Sequence, residues 1–307
     1  MRPRLPPWLL LLLLAALCAG LVALVARFRD RSQSRAALLE RLPAEDAVLL
    51  YIDFTAFRQA GLLSLLETSD PVQEPEYRAF REGSGFDYLR DLDWVLGSLG
   101  PAGAYFLLQG RFDWNTLKEY VTRQGGVCYN TLCRTTGSAP DRKISYCPLQ
   151  PRLMALAVAR DEFAVTRLLR PNPGPRPAAW PGRPAWLFVP ASRLRQFETL
   201  PASARPLAQA LEVTEGLLLA AGPRGGELEI TLEASCRGAP EASSLVVHLQ
   251  RLTALLSHSL AAEGKQPDPR DLSGVLTAGA FHARDRQVLG RWPVPRAFLE
   301  ALAGGAR

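Results

Sequence analysis

The sequence predicts an α+β fold, in which an N-terminal transmembrane helix precedes two duplicated ferredoxin-like (βαββαβ) units. An uncharged apolar run near the N-terminus, two copies of one hairpin pattern and a repeated order of strands and helices support this prediction. The predicted organisation is an anchor and basic juxtamembrane segment at 1–35, a first α+β repeat at 36–169, a proline-rich linker at 170–184 and a second α+β repeat at 185–307.

The apolar run extends from Trp8 to Val25 and contains 18 residues without a charge. As a helix it would be roughly 27 Å long, close to the ~30 Å hydrocarbon core of a bilayer. We therefore expect the lipid bilayer to be a partner through Trp8–Val25, as a retained anchor. The alternative is a cleaved signal peptide, for which Cys18-Ala19-Gly20 is a weak cleavage site.

The positive charge is concentrated at the N-terminus. The chain has a formal net charge of +6, and residues 1–35 contribute six arginines and one aspartate, or +5. The remainder is nearly neutral and lacks the basic surplus that binding to a phosphate backbone requires. Nucleic acid is therefore not an expected partner.

A hairpin pattern occurs twice. Val95–Gly110, VLGSLGPAGAYFLLQG, has two apolar runs around a Gly-Pro break, and Leu217–Ala234 repeats it. Gly100-Pro101 corresponds to Gly222-Pro223, at an offset of 122 residues. This repetition predicts a duplicated scaffold.

The strand before each hairpin is also repeated. Val48–Asp53 reads as a buried strand, and Thr55 is a candidate N-cap for a helix over Ala56–Leu66. Ala185–Val189 matches the start of that strand at an offset of 137 residues. The two halves therefore predict the same β-α-β-β-α-β order.

The other predicted elements follow from apolar periodicity and capping residues. Helices are expected at Glu74–Glu82, Trp114–Gln124 with Asp113 as N-cap, Glu162–Leu169, Leu245–Leu260 and Arg296–Ala303, and strands within Val127–Thr136, Lys143–Cys147 and Leu153–Arg160. Six prolines in the fifteen residues of 170–184 predict a semi-rigid linker.

The fall in offset from 137 to 122 places about fifteen extra residues in the first half, within Pro71–Asp91. Because sites are often built on loops added to a scaffold, this segment is the predicted ligand or partner surface. The candidate residues are Asp53, Tyr77, Phe80, Arg81, Phe86 and Tyr88. The alternatives are that the aromatic residues only cover the sheet and that Asp53 stabilises a helix N-terminus.

Neither a catalytic motif nor a metal-binding motif stands out. His248 and His258 are ten residues apart on one predicted helix, which is not the spacing of a metal pair, and His282 lies in a strand-like run. Nucleotide-binding loops, nucleophile elbows and paired metal-binding histidines are not recognisable. We expect no cofactor, no metal and no catalytic residue.

Cys128 and Cys133 flank a two-residue turn at Asn130-Thr131, which would place them opposite each other across a hairpin. This position favours a disulfide and an oxidising compartment. Two free thiols or a different loop register are an equal alternative, and half of a zinc site is a weaker one.

The apolar segment, the Leu42–Ala47 opening, the aliphatic strand ending in Asp53 and the repeated hairpins resemble uncharacterised membrane-anchored bacterial proteins of unknown function. The resemblance implies a bacterial envelope setting and carries no catalytic residues.

The predicted function is therefore a membrane-anchored envelope protein with a non-catalytic binding or scaffolding role. We expect a single-pass protein with its body in the periplasm and a protein partner in the envelope. One alternative is an enzyme whose site lies between the repeats and uses Asp53, Arg81 or residues 71–91. Another is a subunit of a multi-protein envelope complex. The fold class alone does not decide between them.

Overall fold

In the part of the chain that the computed structural model describes, twelve β-strands form one continuous antiparallel sheet. The structure describes residues 34–63, 75–137, 139, 141–194, 210–211, 213–224 and 227–303. The strands are β1 (Val48–Asp53), β2 (Leu92–Gly100), β3 (Gly103–Gly110), β4 (Val127–Tyr129), β5 (Leu132–Thr136), β6 (Lys143–Gln150), β7 (Leu153–Ala159), β8 (Ala185–Pro190), β9 (Gly216–Arg224), β10 (Glu227–Ser235), β11 (Ala280–Arg284) and β12 (Gln287–Val294).

The helices lie on both faces of this sheet. They are α1 (Arg35–Leu39), α2 (Phe54–Gln59), α3 (Pro75–Ser84), α4 (Tyr88–Asp91), α5 (Trp114–Arg123), α6 (Ala191–Leu194), α7 (Ala239–Ala262), α8 (Leu272–Thr277) and α9 (Arg296–Ala303), with a 3-10 helix at Ala164–Leu169.

The sheet order is β11-β12-β10-β9-β8-β1-β2-β3-β7-β6-β5-β4. The two halves of the chain meet at the centre, where β1 pairs with β8 and Tyr51 lies opposite Trp186. Outward from this pair, the first half runs β1-β2-β3-β7-β6 and the second runs β8-β9-β10-β12-β11.

The prediction of two ferredoxin-like units is wrong. A split βαβ unit joins parallel strands through a helix, whereas β1 and β2 are separated by helices along the chain and yet pair directly as antiparallel neighbours. Every strand pair in the described part of the chain is antiparallel. The result is one sheet shared by both halves, with helices on both faces rather than on one.

One face of the first half is covered by α1, the 3-10 helix and the proline-rich segment. Leu38 and Leu39 of α1 and Val165 and Leu168 of the 3-10 helix pack in the same buried cluster as Leu96 of β2. Since cross-strand neighbours share a face, this cluster extends from β7 across the centre to β8.

The opposite face is covered near its two ends by different helices. Leu117 and Val121 of α5 pack on the first half, against strand residues that include Met154. Leu245 and Leu249 of α7 pack on the second half. The sheet is therefore covered on both faces in the first half of the chain, and on the α7 face in the second half.

The segment 170–184 lies against α1 and the strand that follows it. The Arg176 guanidinium donates hydrogen bonds to the carbonyl oxygens of Leu39, Glu40 and Leu42, at 2.8 to 3.2 Å. The Asn172 side chain donates to the Arg41 carbonyl at 2.7 Å. Side chains thus satisfy the carbonyl groups at the end of α1, which have no partner within the helix.

Several element predictions are confirmed and others need correction. The helix at Arg296–Ala303 and the Asp113 N-cap of α5 are as predicted. The cap of α2 is Asp53 rather than Thr55, and this helix ends at Gln59. The segment expected to be a helix at Glu162–Leu169 is a 3-10 helix that begins at Ala164.

Within the described ranges, none of the helices combines the length and apolar character needed to cross a membrane. The Trp8–Val25 segment lies outside those ranges.

Candidate functional site

An open cleft of about 790 Å³ lies at one end of the sheet, where β2 begins, β3 ends and a turn joins β6 to β7. Backbone hydrogen bonds tie these three segments together. The Arg111 N–H donates to the Asp91 carbonyl at 2.8 Å, and the Gly110 N–H donates to the Arg152 carbonyl at 3.0 Å. A Cβ at position 110 would lie 2.5 Å from the Asp91 carbonyl oxygen, so this close approach requires glycine.

Three arginines line the cleft. The guanidinium groups of Arg90 and Arg111 both contact the Asp91 carboxylate, at 2.9 and 3.1 Å. Arg152 lies 2.8 Å from Asp93. All three arginine side chains are exposed, whereas Asp91 is buried behind them.

The Asp91 carboxylate forms ion pairs with Arg90 and Arg111 and fixes their positions. Burial raises the pKa of Asp91, but hydrogen bonds from the Arg90 side chain and the Asp87 backbone, together with the charges of Arg90 and Arg111, outweigh it and lower this pKa overall. A carboxylate held ionised in this way anchors cations and does not exchange protons near neutral pH.

Three aromatic rings form an apolar wall of the cleft. The Phe86 and Phe112 rings stack with centroids 5.3 Å apart and planes 15° from parallel. The centroids of the Phe112 and Trp114 rings are 5.2 Å apart. The Trp114 Nε1–H donates to the Pro151 carbonyl at 3.0 Å, which fixes the indole against the β6–β7 turn.

The remaining charged group in the cleft is Asp113, at the N-terminus of α5. Its Oδ1 accepts hydrogen bonds from the backbone N–H groups of Asn115 and Thr116, both at 3.1 Å. The bond from Thr116 is the main reason that the pKa of Asp113 is lowered. Three arginines against two aspartates leave the cleft lining with a net charge of +1.

Of the residues predicted as a ligand surface, Phe86 lines the cleft. Phe80 lies behind it, with its ring 6.3 Å from that of Phe86 and 5.4 Å from that of Tyr120. Phe80 also packs on the α5 cluster, so it covers the sheet.

Arg81 and Tyr88 lie beside the cleft without lining it. Arg81 is 3.8 Å from Asp87, and the Tyr88 ring contacts Phe54 with centroids 6.1 Å apart. Burial, followed by the charge of Asp87, raises the pKa of Tyr88. Tyr77 lies in α3, and its side chain is outside the described part of the structure.

Asp53 has a structural role. Its Oδ1 accepts from the Ala56 N–H at 2.9 Å and caps α2, and its Oδ2 accepts from the Tyr51 hydroxyl at 3.0 Å. Arg35 lies 3.4 Å from the same carboxylate. These contacts agree with the alternative interpretation of Asp53 as a helix-stabilising residue.

The sequence interpretation missed Arg111, Phe112, Trp114 and Arg152. The sequence marked these four cleft residues only as charged and aromatic residues that directly follow predicted strands, where turns expose side chains. Their convergence with Arg90 depends on the register of β2, β3 and β7, which no short segment specifies.

A disulfide joins Cys128 and Cys133 in the hairpin of β4 and β5, where the two residues are directly paired and their Cα atoms are 4.0 Å apart. The hairpin forms one edge of the sheet, and Tyr129 at its tip is highly exposed. The disulfide therefore cross-links a hairpin at the edge of the sheet, and its Cys133 packs in the α5 cluster.

Histidine, cysteine and acidic side chains do not gather into groups of three or more that suit a metal ion in the described part of the chain. His248 and His258 are exposed on α7, and His282 is exposed on β11.

No protein-family profile matches the chain, and no curated protein matches it. Among solved structures, crystal form I of TP0453 aligns with 87% of this chain and 95% of its own, at 11% identity and a TM-score of 0.49. Crystal form III of TP0453 aligns with 87% of this chain and 96% of its own, at 12% identity and a TM-score of 0.46.

Proposed function

We propose that this protein is a non-catalytic binding protein held at a membrane by its N-terminal apolar segment. Its cleft takes a ligand that carries a compact anionic group next to an apolar one. The observation that carries the proposal is the convergence of Arg90, Arg111 and Arg152 beside the Phe86–Phe112–Trp114 wall.

The chemistry of the cleft favours binding of an anion. Guanidinium groups bind carboxylates and phosphates through directed hydrogen bonds, and hydrogen bonds between charged groups are stronger than neutral ones. Asp91 already holds Arg90 and Arg111 in place, so ordering these side chains costs a ligand less conformational entropy. The stacked rings offer apolar area at the same opening.

The cleft also has a size that suits this role. Ligand pockets usually enclose about 300–1,000 Å³, and the volume of about 790 Å³ falls in that range. The two cleft carboxylates have lowered pKa values, which suits structural anions better than general acids.

Two features support a location at the membrane outside the reducing cytoplasm. Trp8–Val25 has the length and apolar composition of a membrane-spanning segment. The Cys128–Cys133 disulfide is typical of proteins in oxidising compartments.

The test uses calorimetry to measure the binding of 1-naphthyl phosphate to the full-length protein in detergent. The uncharged control ligand is 1-naphthol. We expect saturable binding of the phosphate ester only. The double variant R111Q/R152Q should weaken it by at least about tenfold, because each charge-assisted hydrogen bond contributes about 1.5–3 kcal/mol.

The matched control replaces two exposed arginines at the other end of the sheet, as R160Q/R237Q. This variant should bind like the wild type. Equal weakening by both double variants, or equal binding of naphthol and its phosphate, would refute the cleft as the site.

A further inference from the structure

Five arginines lie at one end of the sheet, and a sixth, Arg291, lies three residues before the end of β12 and contacts Glu229. We name this set the arginine edge: Arg90, Arg111, Arg152, Arg183, Arg224 and Arg291. The register places them together. The carboxyl end of β1 lies beside the amino ends of β2 and β8, and the pairing continues to the ends of β3 and β7 on one side and of β9, β10 and β12 on the other. The edge therefore spans both halves of the chain and extends well beyond the cleft.

The arginines of the arginine edge are more exposed than their acidic partners. The six arginine side chains are 37–66% exposed, and their acidic partners Asp91, Asp93 and Glu229 are 7–28% exposed. Glu229 alone is within 4 Å of three of these arginines. Guanidinium groups are thus prominent in the outer layer at this end, beside the exposed carboxylates of Asp113 and Glu227.

Two ion pairs near the opposite end of the sheet show the reverse arrangement. In the Arg134–Glu162 pair the arginine is 23% and the glutamate 51% exposed. In the Arg193–Asp46 pair the values are 24% and 37%. In these two pairs the acidic side chain is the more exposed partner, although Arg160, Arg237 and Arg286 are also exposed at that end.

The N-terminal segment joins the fold at the arginine edge. Arg35, the first residue of α1, lies 3.4 Å from Asp53, the last residue of β1. Arg27, Arg29 and Arg31 directly precede this point in the sequence and follow the apolar segment. The chain that leads to the membrane is therefore attached to the end of the sheet that presents arginine.

We infer that the arginine edge faces the bilayer and contacts the anionic headgroups of its phospholipids. This inference rests on the proposed attachment to a membrane and names the source of the anion. Arginines near an anionic surface each gain a modest free energy, so six of them on one rigid sheet end orient the whole body. The aromatic wall of the cleft lies at the same end, and aromatic side chains are favoured at the headgroup level.

The test measures the exposure of each arginine in the full-length protein in lipid nanodiscs. The nanodiscs contain either phosphatidylcholine alone or phosphatidylcholine mixed with phosphatidylglycerol. The protein is modified with phenylglyoxal, which reacts with accessible guanidinium groups, and the rate at each arginine is obtained by peptide mass spectrometry. No substitution is needed, so loss of folding does not affect the result.

We expect the arginine edge to be modified about fivefold more slowly in the anionic nanodiscs, and high salt should remove the difference because it screens the headgroups. Arg160, Arg237 and Arg286 are exposed at the opposite end and provide the internal control, with equal rates in both lipids. Equal rates at the arginine edge in the two lipids would overturn the inference.

The modification rates distinguish the three arginines of the cleft from the three other arginines of the arginine edge. Protection confined to Arg90, Arg111 and Arg152 would overturn the docking of the edge and leave the proposed cleft function standing. Protection of Arg183, Arg224 and Arg291 without naphthyl phosphate binding would support the docking and refute the cleft function.

Discussion

The Arg35 guanidinium lies 3.4 Å from the Asp53 carboxylate and 5.3 Å from the centre of the Tyr51 ring. This contact joins the first helical turn after the N-terminal segment to the carboxyl end of the central strand β1. Asp53 therefore stabilises the position of α1 at the end of β1 through Arg35. Its two carboxylate oxygens also accept hydrogen bonds from the Ala56 N–H, which caps α2, and from the Tyr51 hydroxyl.

The first prediction concerns this structural role of Asp53. D53A should lower the free energy of unfolding by about 2 kcal/mol, because it removes an N-cap and a hydrogen-bond acceptor. D53N should cost under about 1 kcal/mol, since asparagine caps a helix nearly as well. Urea unfolding measures both, and naphthyl phosphate should still bind. A D53A variant of normal stability that fails to bind would instead make Asp53 a site residue.

Local signals in the sequence were sufficient for individual elements. Asp113 followed by an apolar i, i+4 pair predicted α5, and the apolar spacing of Arg296–Ala303 predicted α9. Such signals lie within a few residues of the element that they specify.

The sheet could not be predicted in the same way, because the β-α-β order along the chain is compatible with either parallel or antiparallel pairing. The contact of Tyr51 with Trp186 unites the two halves, and it depends on residues far apart in the sequence. The site was found only in part for the same reason. Phe86 falls in the segment that the sequence singled out, whereas Arg152 reaches the cleft through the register of β7 with β3.

The second prediction concerns the disulfide. Under native conditions without reductant, an alkylating reagent should not label Cys128 or Cys133, and reduction should expose both. Cys147 and Cys236 are buried thiols and should react only on unfolding. Peptide mass spectrometry distinguishes these four cysteines from one another and from Cys18. Labelling of Cys128 before reduction would contradict the disulfide.

The third prediction concerns the energetic role of that disulfide. The double variant C128S/C133S should lose at most about 2 kcal/mol, since the bond closes a short loop. The loss should appear as faster hydrogen exchange in β4 and β5, which form one edge of the sheet. Unchanged exchange there, or an equal increase throughout the sheet, would contradict a local role.

The fourth prediction tests the docking of the proline-rich segment. Gly174 has φ of +126°, and a Cβ there would collide with the backbone of Ala44 and Glu45. G174A should therefore destabilise the protein by about 3 kcal/mol or more. The matched control is G182A, where φ is +66° and a Cβ meets nothing within 4 Å. It should cost only about 1–2 kcal/mol, the strain of a left-handed alanine. Equal losses in thermal or urea unfolding would show that the segment is not held against the sheet.

The fifth prediction concerns the buried hydroxyl of Tyr146. Among the described residues this hydroxyl has no hydrogen-bond partner, and burial raises the pKa of Tyr146 to about 12. A buried polar group without a partner is costly, so Y146F should be as stable as the wild type at pH 7 or more stable by about 1 kcal/mol. The matched variant is Y51F, which removes the hydrogen bond to Asp53 and should be destabilised at the same pH.

The raised pKa of Tyr146 also predicts that the stabilities of the wild type and Y146F depend differently on pH. The ordinary tyrosine pKa is 10.0, so between pH 10 and 12 the folded state retains a proton that the unfolded state releases. The raised pKa therefore contributes stability that is fully present below pH 10 and is lost as the pH rises through 12. At pH 11 the wild type should have lost about 1 kcal/mol more than Y146F, relative to pH 7. Urea unfolding at the two pH values measures the difference, and parallel losses in both proteins would show that Tyr146 titrates normally in the folded state.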